Sequence, residues 1–193
     1  MGTYYITTHG SSVLLDANEG NPSAVNGSFT EWSPGDKFIL AVIVFYNTLC
    51  NKATDGCQLK LQFAEDGGEF GDVGAGTAIA WCADADTSLT DDAEGTQRVG
   101  SGTPAAQCDS GYGTAWENAE DNTLPDSGAD MIIAQEQWLE THWALNPANA
   151  NPESVYTFQV ANITNSGTAL TNAIASSVTM AVQYVPQIMV TLL

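Results

Sequence analysis

The sequence predicts an all-β protein, an antiparallel β-sandwich carrying long acidic loops, and three observations lead there. Short runs rich in Val, Ile, Phe, Tyr and Trp recur along the chain. One of them, Gln58 to Phe63, alternates polar and apolar residues with the period of a strand that has one wet face. Clusters of Gly, Pro, Asn and Asp punctuate the intervals, as they do between short strands of two packed sheets. The 193 residues suit one domain, and 44% apolar content is enough to bury a core.

Taken in order, residues 1–30 are polar and turn-rich, with Asn18, Gly20, Asn21, Pro22 and Gly27, and read as an extended N-terminal arm. The single sandwich domain is expected over 31–193. A Pro34-Gly35 turn feeds the run Phe38 to Tyr46, too short to span a bilayer and apolar enough for a buried strand. "NKATDG" ends in Asp-Gly, a hairpin signal, before Leu59, Leu61 and Phe63 alternate with Gln58, Lys60 and Gln62. Residues 65–130 hold 15 of the 23 acidic side chains against Arg98 alone, and read as a loop insertion with strand-like islands at "GTAIAWC" and "ADMIIAQ". Strand signals return in "QWLETHWALNP", "SVYTFQVANI" and "SSVTMAVQYVPQIMVTLL", with Tyr156, Phe158 and Val160 facing the core. A helix is the competing reading for "DMIIAQEQWLETHWAL", whose Trp138, Thr141, His142 and Trp143 fit a strand as well. The sandwich is of jelly-roll or Ig-like type.

Charge excludes two classes of partner. Lys37, Lys52, Lys60 and Arg98 are the only basic side chains in a chain of net charge −19. Phosphate backbones need clustered Lys and Arg, and anionic membrane surfaces repel such a field, so neither nucleic acid nor membrane is an expected partner. The N-terminal stretch reads as no signal peptide, lacking a basic n-region and an apolar h-region.

Four cysteines fall as Cys50 with Cys57, flanking the turn, and Cys82 with Cys108, around a long acidic stretch. An even count with one pair across a turn is a disulfide pattern, each bond stabilising by about 2–4 kcal/mol. Buried thiols and a zinc site are the alternatives, the latter without a C-x2-C knuckle. Disulfides persist outside reducing cytosol, virion surfaces included. A virion protein needs no leader, which reconciles the cysteines with the N-terminus.

Catalytic motifs do not emerge. His142 alternates with apolar residues in "WLETHWAL" and has no G-x-S-x-G beside it, so a structural histidine is the simpler reading. Acids are too many for any pair to single itself out for glycoside hydrolysis. "GDVGAG" lacks the Lys-Ser of a phosphate loop and reads as a turn. Calcium is the one cofactor considered, since acidic loops supply oxygen ligands: Asp84, Asp86, Asp91, Asp92 and Glu94 are the candidates, although their stretch lacks the Gly and Glu of an EF-hand loop. Of the tryptophans, Trp138 and Trp143 read as core and Trp116 as the best candidate for an exposed glycan-stacking ring. Asn26-Gly27-Ser28 and Asn162-Ile163-Thr164 match the glycosylation sequon, a pattern short enough to arise by chance.

The order "WSPGDKFILAVIVFYN", "LKLQFAEDGGEFGDV", "EQWLETHWALNP" and "ESVYTFQVANI" resembles a β-sandwich module of tailed-phage structural proteins and bacterial surface proteins, over about residues 32–163. Phe70 stands where that module commonly has Trp, and Gln159 where Arg is common. The resemblance implies a structural or adhesive role and no catalytic residues. The expectation is therefore a non-enzymatic virion structural protein, a capsid decoration or cement protein or a fibre-type component. Its partners would be other virion proteins, the major capsid protein among them, and further copies of itself. Contacts are expected from the arm (Tyr4, Tyr5, Ile6) and the apolar tail (Ile188, Met189, Val190), because extended segments add to a neighbour's sheet edge. The alternative is a secreted or cell-surface binding module for glycans or calcium.

Overall fold

A computed structural model describes residues 6–18, 20, 22–24, 26–46, 50–51, 59–82, 87–90, 93–95, 112–118, 132–133, 137–162 and 177–181. These form thirteen strands: β1 (Ile6–Asp16), β2 (Phe29–Trp32), β3 (Phe38–Tyr46), β4 (Cys50–Asn51), β5 (Leu59–Glu65), β6 (Gly71–Asp72), β7 (Ala80–Trp81), β8 (Ala93–Gly95), β9 (Tyr112–Asn118), β10 (Ile132–Ile133), β11 (Gln137–Asn146), β12 (Val155–Asn162) and β13 (Ser177–Met180). One sheet runs β1-β3-β11-β9-β8, with β7 also on β11; the other runs β2-β13-β12-β5-β6; β4 and β10 pair separately. The fold is an all-β sandwich.

Most ladders are antiparallel, as expected, but two are parallel: β9 on β11 and β2 on β13. The segment open to either a helix or a strand reading is strand, with nine aligned pairs from Gln137 opposite Tyr46 to Leu145 opposite Phe38. Strand pairing wins because both faces of β11 find apolar partners, whereas a helix would turn part of that surface outward.

Two cores result. Between the sheets lie Leu14, Phe38, Leu40, Val42, Val44, Leu59, Leu61, Leu139, Trp143, Leu145, Tyr156, Phe158, Val160, Val178 and Met180. Tyr156, Phe158 and Val160 face this core, as their alternation predicts. The opposite face of the first sheet is also closed, by Val13, Leu15, Ile39, Ala41, Ile43 and Ala144 with Cys82 and Leu89. That explains why Phe38 to Val44 is an unbroken apolar run rather than an alternating one: all of it is buried. Fully burying each Phe, Leu or Ile of this kind contributes roughly 1.5–3 kcal/mol.

Aromatic rings close one end of the sandwich. Phe29 and Trp32 stack at 4.3 Å, and Phe38 presents its edge to both at 6.5 and 6.4 Å. The Pro34-Gly35 turn is present, with the Asp36 N–H donating to the Ser33 carbonyl at 3.0 Å and Gly35 at φ 93°, the left-handed position that a type II turn reserves for glycine.

Three sequence readings need refinement. Residues 1–30 are not only an arm: β1 is integrated in the first sheet, and Val13, Leu14 and Leu15 are buried. The 65–130 stretch does more than loop, since β6, β7, β8 and β9 lie in it, β8 and β9 extending the first sheet. "GDVGAG" is a strand followed by a turn, with the Thr77 N–H donating to the Gly74 carbonyl.

Candidate functional site

A bulge in β2 borders an open concavity. Phe29 aligns with Val178 but Trp32 with Met180, so β2 spends one residue more than β13 over the same span. Glu31 stands in that interval with φ 59°, a left-handed conformation uncommon for a residue with a Cβ. On the other side of β13, Glu153 is also left-handed at φ 69°, its N–H donating to the Met180 carbonyl at 3.0 Å. The Met180 N–H donates to the Ser154 carbonyl, and the Ala181 N–H to the Trp32 carbonyl. Two exposed glutamates therefore flank a cleft of about 560 Å3 whose floor is Thr179, Met180 and Ala181. Such a pair of carboxylates accepts hydrogen bonds from hydroxyl, ammonium or guanidinium groups.

Beside it, the β5–β6 turn is latched to the loop before β12. Glu65 Oε1 accepts from Asn151 Nδ2 at 2.6 Å and Ser154 Oγ at 2.8 Å, and Asp66 Oδ1 accepts from the Val155 N–H at 2.8 Å. The bonds from Asn151 and Ser154 hold the Glu65 carboxyl below its ordinary value. Tyr156 Oη accepts from the Asn151 N–H at 2.9 Å, while burial pushes its phenol up.

A polar chain crosses the outer face of the second sheet. Gln159 donates to Gln62 Oε1 and Gln62 to Asp72 Oδ1, each at 2.7 Å, and Lys60 pairs with Asp72 at 2.7 Å. Gln62, expected on a wet face, is 9% exposed and Gln159 is 3% exposed, so their amides satisfy one another in place of water. Burial alone would raise the Asp72 carboxyl, but the bonds from Lys60 and Gln62 and the Lys60 charge outweigh it, and the net shift is downward.

His142 is fully buried, and its Nε2 lies 2.6 Å from Glu140 Oε1, itself fully buried. Both sit on the closed outer face of the first sheet, aligned with Ala41 and Ile43 of β3. Full burial of both side chains favours the structural reading of His142 over a triad. Trp143, expected in the core, is there, and its Nε1 donates to Thr141 Oγ1 at 2.9 Å.

The remaining sequence candidates are placed only in part. Cys82 is buried at the rim of the second core, its N–H donating to the Ala144 carbonyl. Cys50 is in β4 opposite Ile133, and Cys57 and Cys108 lie outside the described residues, so neither disulfide is placed. Of the calcium candidates, Glu94 is in β8 opposite Trp116, whereas Asp84, Asp86, Asp91 and Asp92 lie outside the described residues. Among the partner-contact candidates, Ile6 pairs in register with Tyr46, and Tyr4, Tyr5, Ile188, Met189 and Val190 lie outside. Sequence reasoning misses the Glu31–Glu153 cleft; only the placement of Glu in "FTEWSPG" and in "NPESV", each next to turn residues, hints at it.

No protein-family model matches this chain, and no curated protein matches it. Among solved structures it is similar to a family 123 glycoside hydrolase from Clostridium perfringens, studied for glycolipid glycan hydrolysis, at 14% identity and a TM-score of 0.33. That alignment covers 90% of this chain and 27% of the hydrolase, so the chain spans about a quarter of its length.

Proposed function

We propose that this chain is a non-enzymatic structural protein of a virion surface, a capsid decoration or cement protein or a fibre-type component. It stabilises its particle by burying surface against neighbouring subunits, the major capsid protein and further copies of itself among them. The observation that best supports this reading is the β3–β11 pair, whose described side chains from Phe38 to Val44 and from Leu139 to Leu145 are buried on both faces. A strand pair closed on both sides supplies a rigid core on which contacts to neighbouring subunits can be built. The net charge of −19 keeps such a surface protein from adhering to nucleic acid. Mass spectrometry of purified particles from the source tests it: the expected result is this chain in stoichiometric amount, and its confinement to an envelope or secreted fraction would overturn the proposal.

One observation favours the second reading, a secreted or cell-surface binding module. The cleft between Glu31 and Glu153 is open and holds two hydrogen-bond acceptors beside Thr179, Met180 and Ala181. A glycan array, with calorimetry against calcium, separates the readings, since a specific hit lost in Glu31→Gln would favour the module.

A further inference from the structure

The outer edge of β1 is capped by the segment that follows it. The Ser12 N–H donates to Asn26 Oδ1 at 2.9 Å and the Asn26 N–H to the Ser12 carbonyl at 2.7 Å. The Leu14 N–H donates to Ser23 Oγ at 3.0 Å, the Ser23 N–H to the Leu14 carbonyl at 2.7 Å, and the Asp16 N–H to the Gly20 carbonyl at 3.1 Å. These bonds occupy backbone groups that a sheet edge otherwise offers to another strand. Asn26 is the residue that ties the far end of the cap, and it is exposed.

Asn26 is followed by Gly27, the one Asn-Gly pair in the chain. Both residues are demanded by the backbone. Asn26 has φ 56°, a left-handed value that asparagine tolerates better than most residues. A Cβ on Gly27 would lie 2.7 Å from the Ala24 carbonyl oxygen, which is backbone and cannot swing away. Asn-Gly is also the dipeptide in which the following backbone nitrogen reaches the side-chain amide with the least steric hindrance, because glycine has no side chain.

We propose that Asn26-Gly27 is a site of spontaneous deamidation and isomerisation that uncaps β1. The Gly27 nitrogen loses its proton and attacks Asn26 Cγ; a C–N bond forms, ammonia leaves, and a five-membered imide results. Water then opens the imide. Cleavage of the Cγ–N bond gives aspartate, and cleavage of the other C–N bond gives isoaspartate, with the main chain now routed through the side-chain carbonyl and one methylene longer. Aspartate keeps an acceptor for the Ser12 N–H. Isoaspartate moves that acceptor off the side branch and lengthens the backbone across a cap whose bonds run from 2.7 to 3.1 Å.

In the folded protein both reacting groups are engaged. Gly27 N–H donates to the Ala24 carbonyl at 2.7 Å, and Asn26 Oδ1 is held by Ser12. Reaction therefore requires the cap to open first, which makes conversion a record of how often the β1 edge opens.

The test incubates the full chain in mildly alkaline buffer, native and in urea, and follows asparagine, aspartate and isoaspartate at position 26 by peptide mapping. Conversion is expected to be at least about tenfold slower in the native chain, the ratio that ~1.4 kcal/mol of local opening produces. The isolated isoaspartate form is expected to exchange its Ser12 and Leu14 amide hydrogens faster than the unconverted chain. N26D is expected to retain near-native exchange at Ser12, and N26G, which accepts the same φ but has no acceptor, to lose protection there. Equal conversion rates in the native and urea-treated chain would overturn the proposal. So would unchanged Ser12 exchange in both the isoaspartate form and N26G.

Discussion

Glu140 and His142 meet at 2.6 Å on one face of β11, and neither side chain reaches solvent. Residues two apart in a strand share a face, so the sequence Glu-Thr-His places the carboxylate and the imidazole side by side without help from any other element. What the tertiary fold adds is closure, with Ile43 and Ala41 aligned across β3 and an apolar cluster over the same face. Removing one member takes a buried 2.6 Å hydrogen bond from the other, at a cost of about 1–3 kcal/mol. Glu140→Ala and His142→Ala are each expected to lose that much in urea unfolding, and the double variant clearly less than their sum. Strict additivity, within roughly 0.5 kcal/mol, would mean that the two do not depend on each other.

On the opposite face, Thr141 links Trp143 to β3. Its hydroxyl accepts from the indole N–H and donates to the Val42 carbonyl at 3.1 Å. Thr141→Val keeps the shape and removes both bonds, leaving the buried indole donor unmet, for a loss of about 1–3 kcal/mol. Thr141→Ser is expected to recover most of it. If the Val variant unfolds at the same urea midpoint as the parent, water or another group satisfies the indole.

Much of this architecture is legible in the sequence because side-chain periodicity is local. Alternation alone assigns Tyr156, Phe158 and Val160 to the core, and backbone chemistry alone assigns Pro34-Gly35 to a turn. The "YGTAWEN" strand is not legible, since small residues and acids mask its alternation, and its parallel pairing to β11 is a non-local fact. Alternation places Gln62 on a wet face because its sequence neighbours cannot report that Gln159 lies opposite it, 97 residues on. The Glu31–Glu153 cleft is hidden for the same reason: two glutamates distant in sequence approach one strand from either side.

The latch on Glu65 gives stability a defined pH dependence. Its carboxyl is held below the ordinary 4.5 by the bonds from Asn151 and Ser154. A carboxyl depressed in the folded state contributes stability above its unfolded value, and the contribution disappears as pH falls through the lower folded value. Glu65→Gln is thus expected to narrow the gap between stability at neutral pH and stability below pH 4.5, measured by urea unfolding. Asp72, also depressed, works in the same acid range, and Asp72→Asn should act in the same direction. An unchanged acid slope in both variants would show that the latch does not distinguish carboxylate from carboxylic acid.

Left-handed backbone at Glu31 and Glu153 supplies the last prediction. A non-glycine residue in a sparsely populated region costs of order 1 kcal/mol, and such positions persist where the surroundings over-determine them. Glycine accepts the same φ freely, although it is more flexible in the unfolded chain, so Glu31→Gly is expected to leave stability level or raise it by up to about 1 kcal/mol. Glu31→Val, with a branched Cβ at φ 59°, should lose more than Glu31→Ala, because the strain grows with crowding at Cβ. The bulge also fixes where the carboxylate points, so Glu31→Gly and Glu31→Gln should alike abolish any ligand binding at the cleft while their stabilities differ. Equal stability for Gly, Ala and Val at position 31 would show that the bulge relaxes once glutamate is removed, and that the carboxylate itself holds β2 in its bent form.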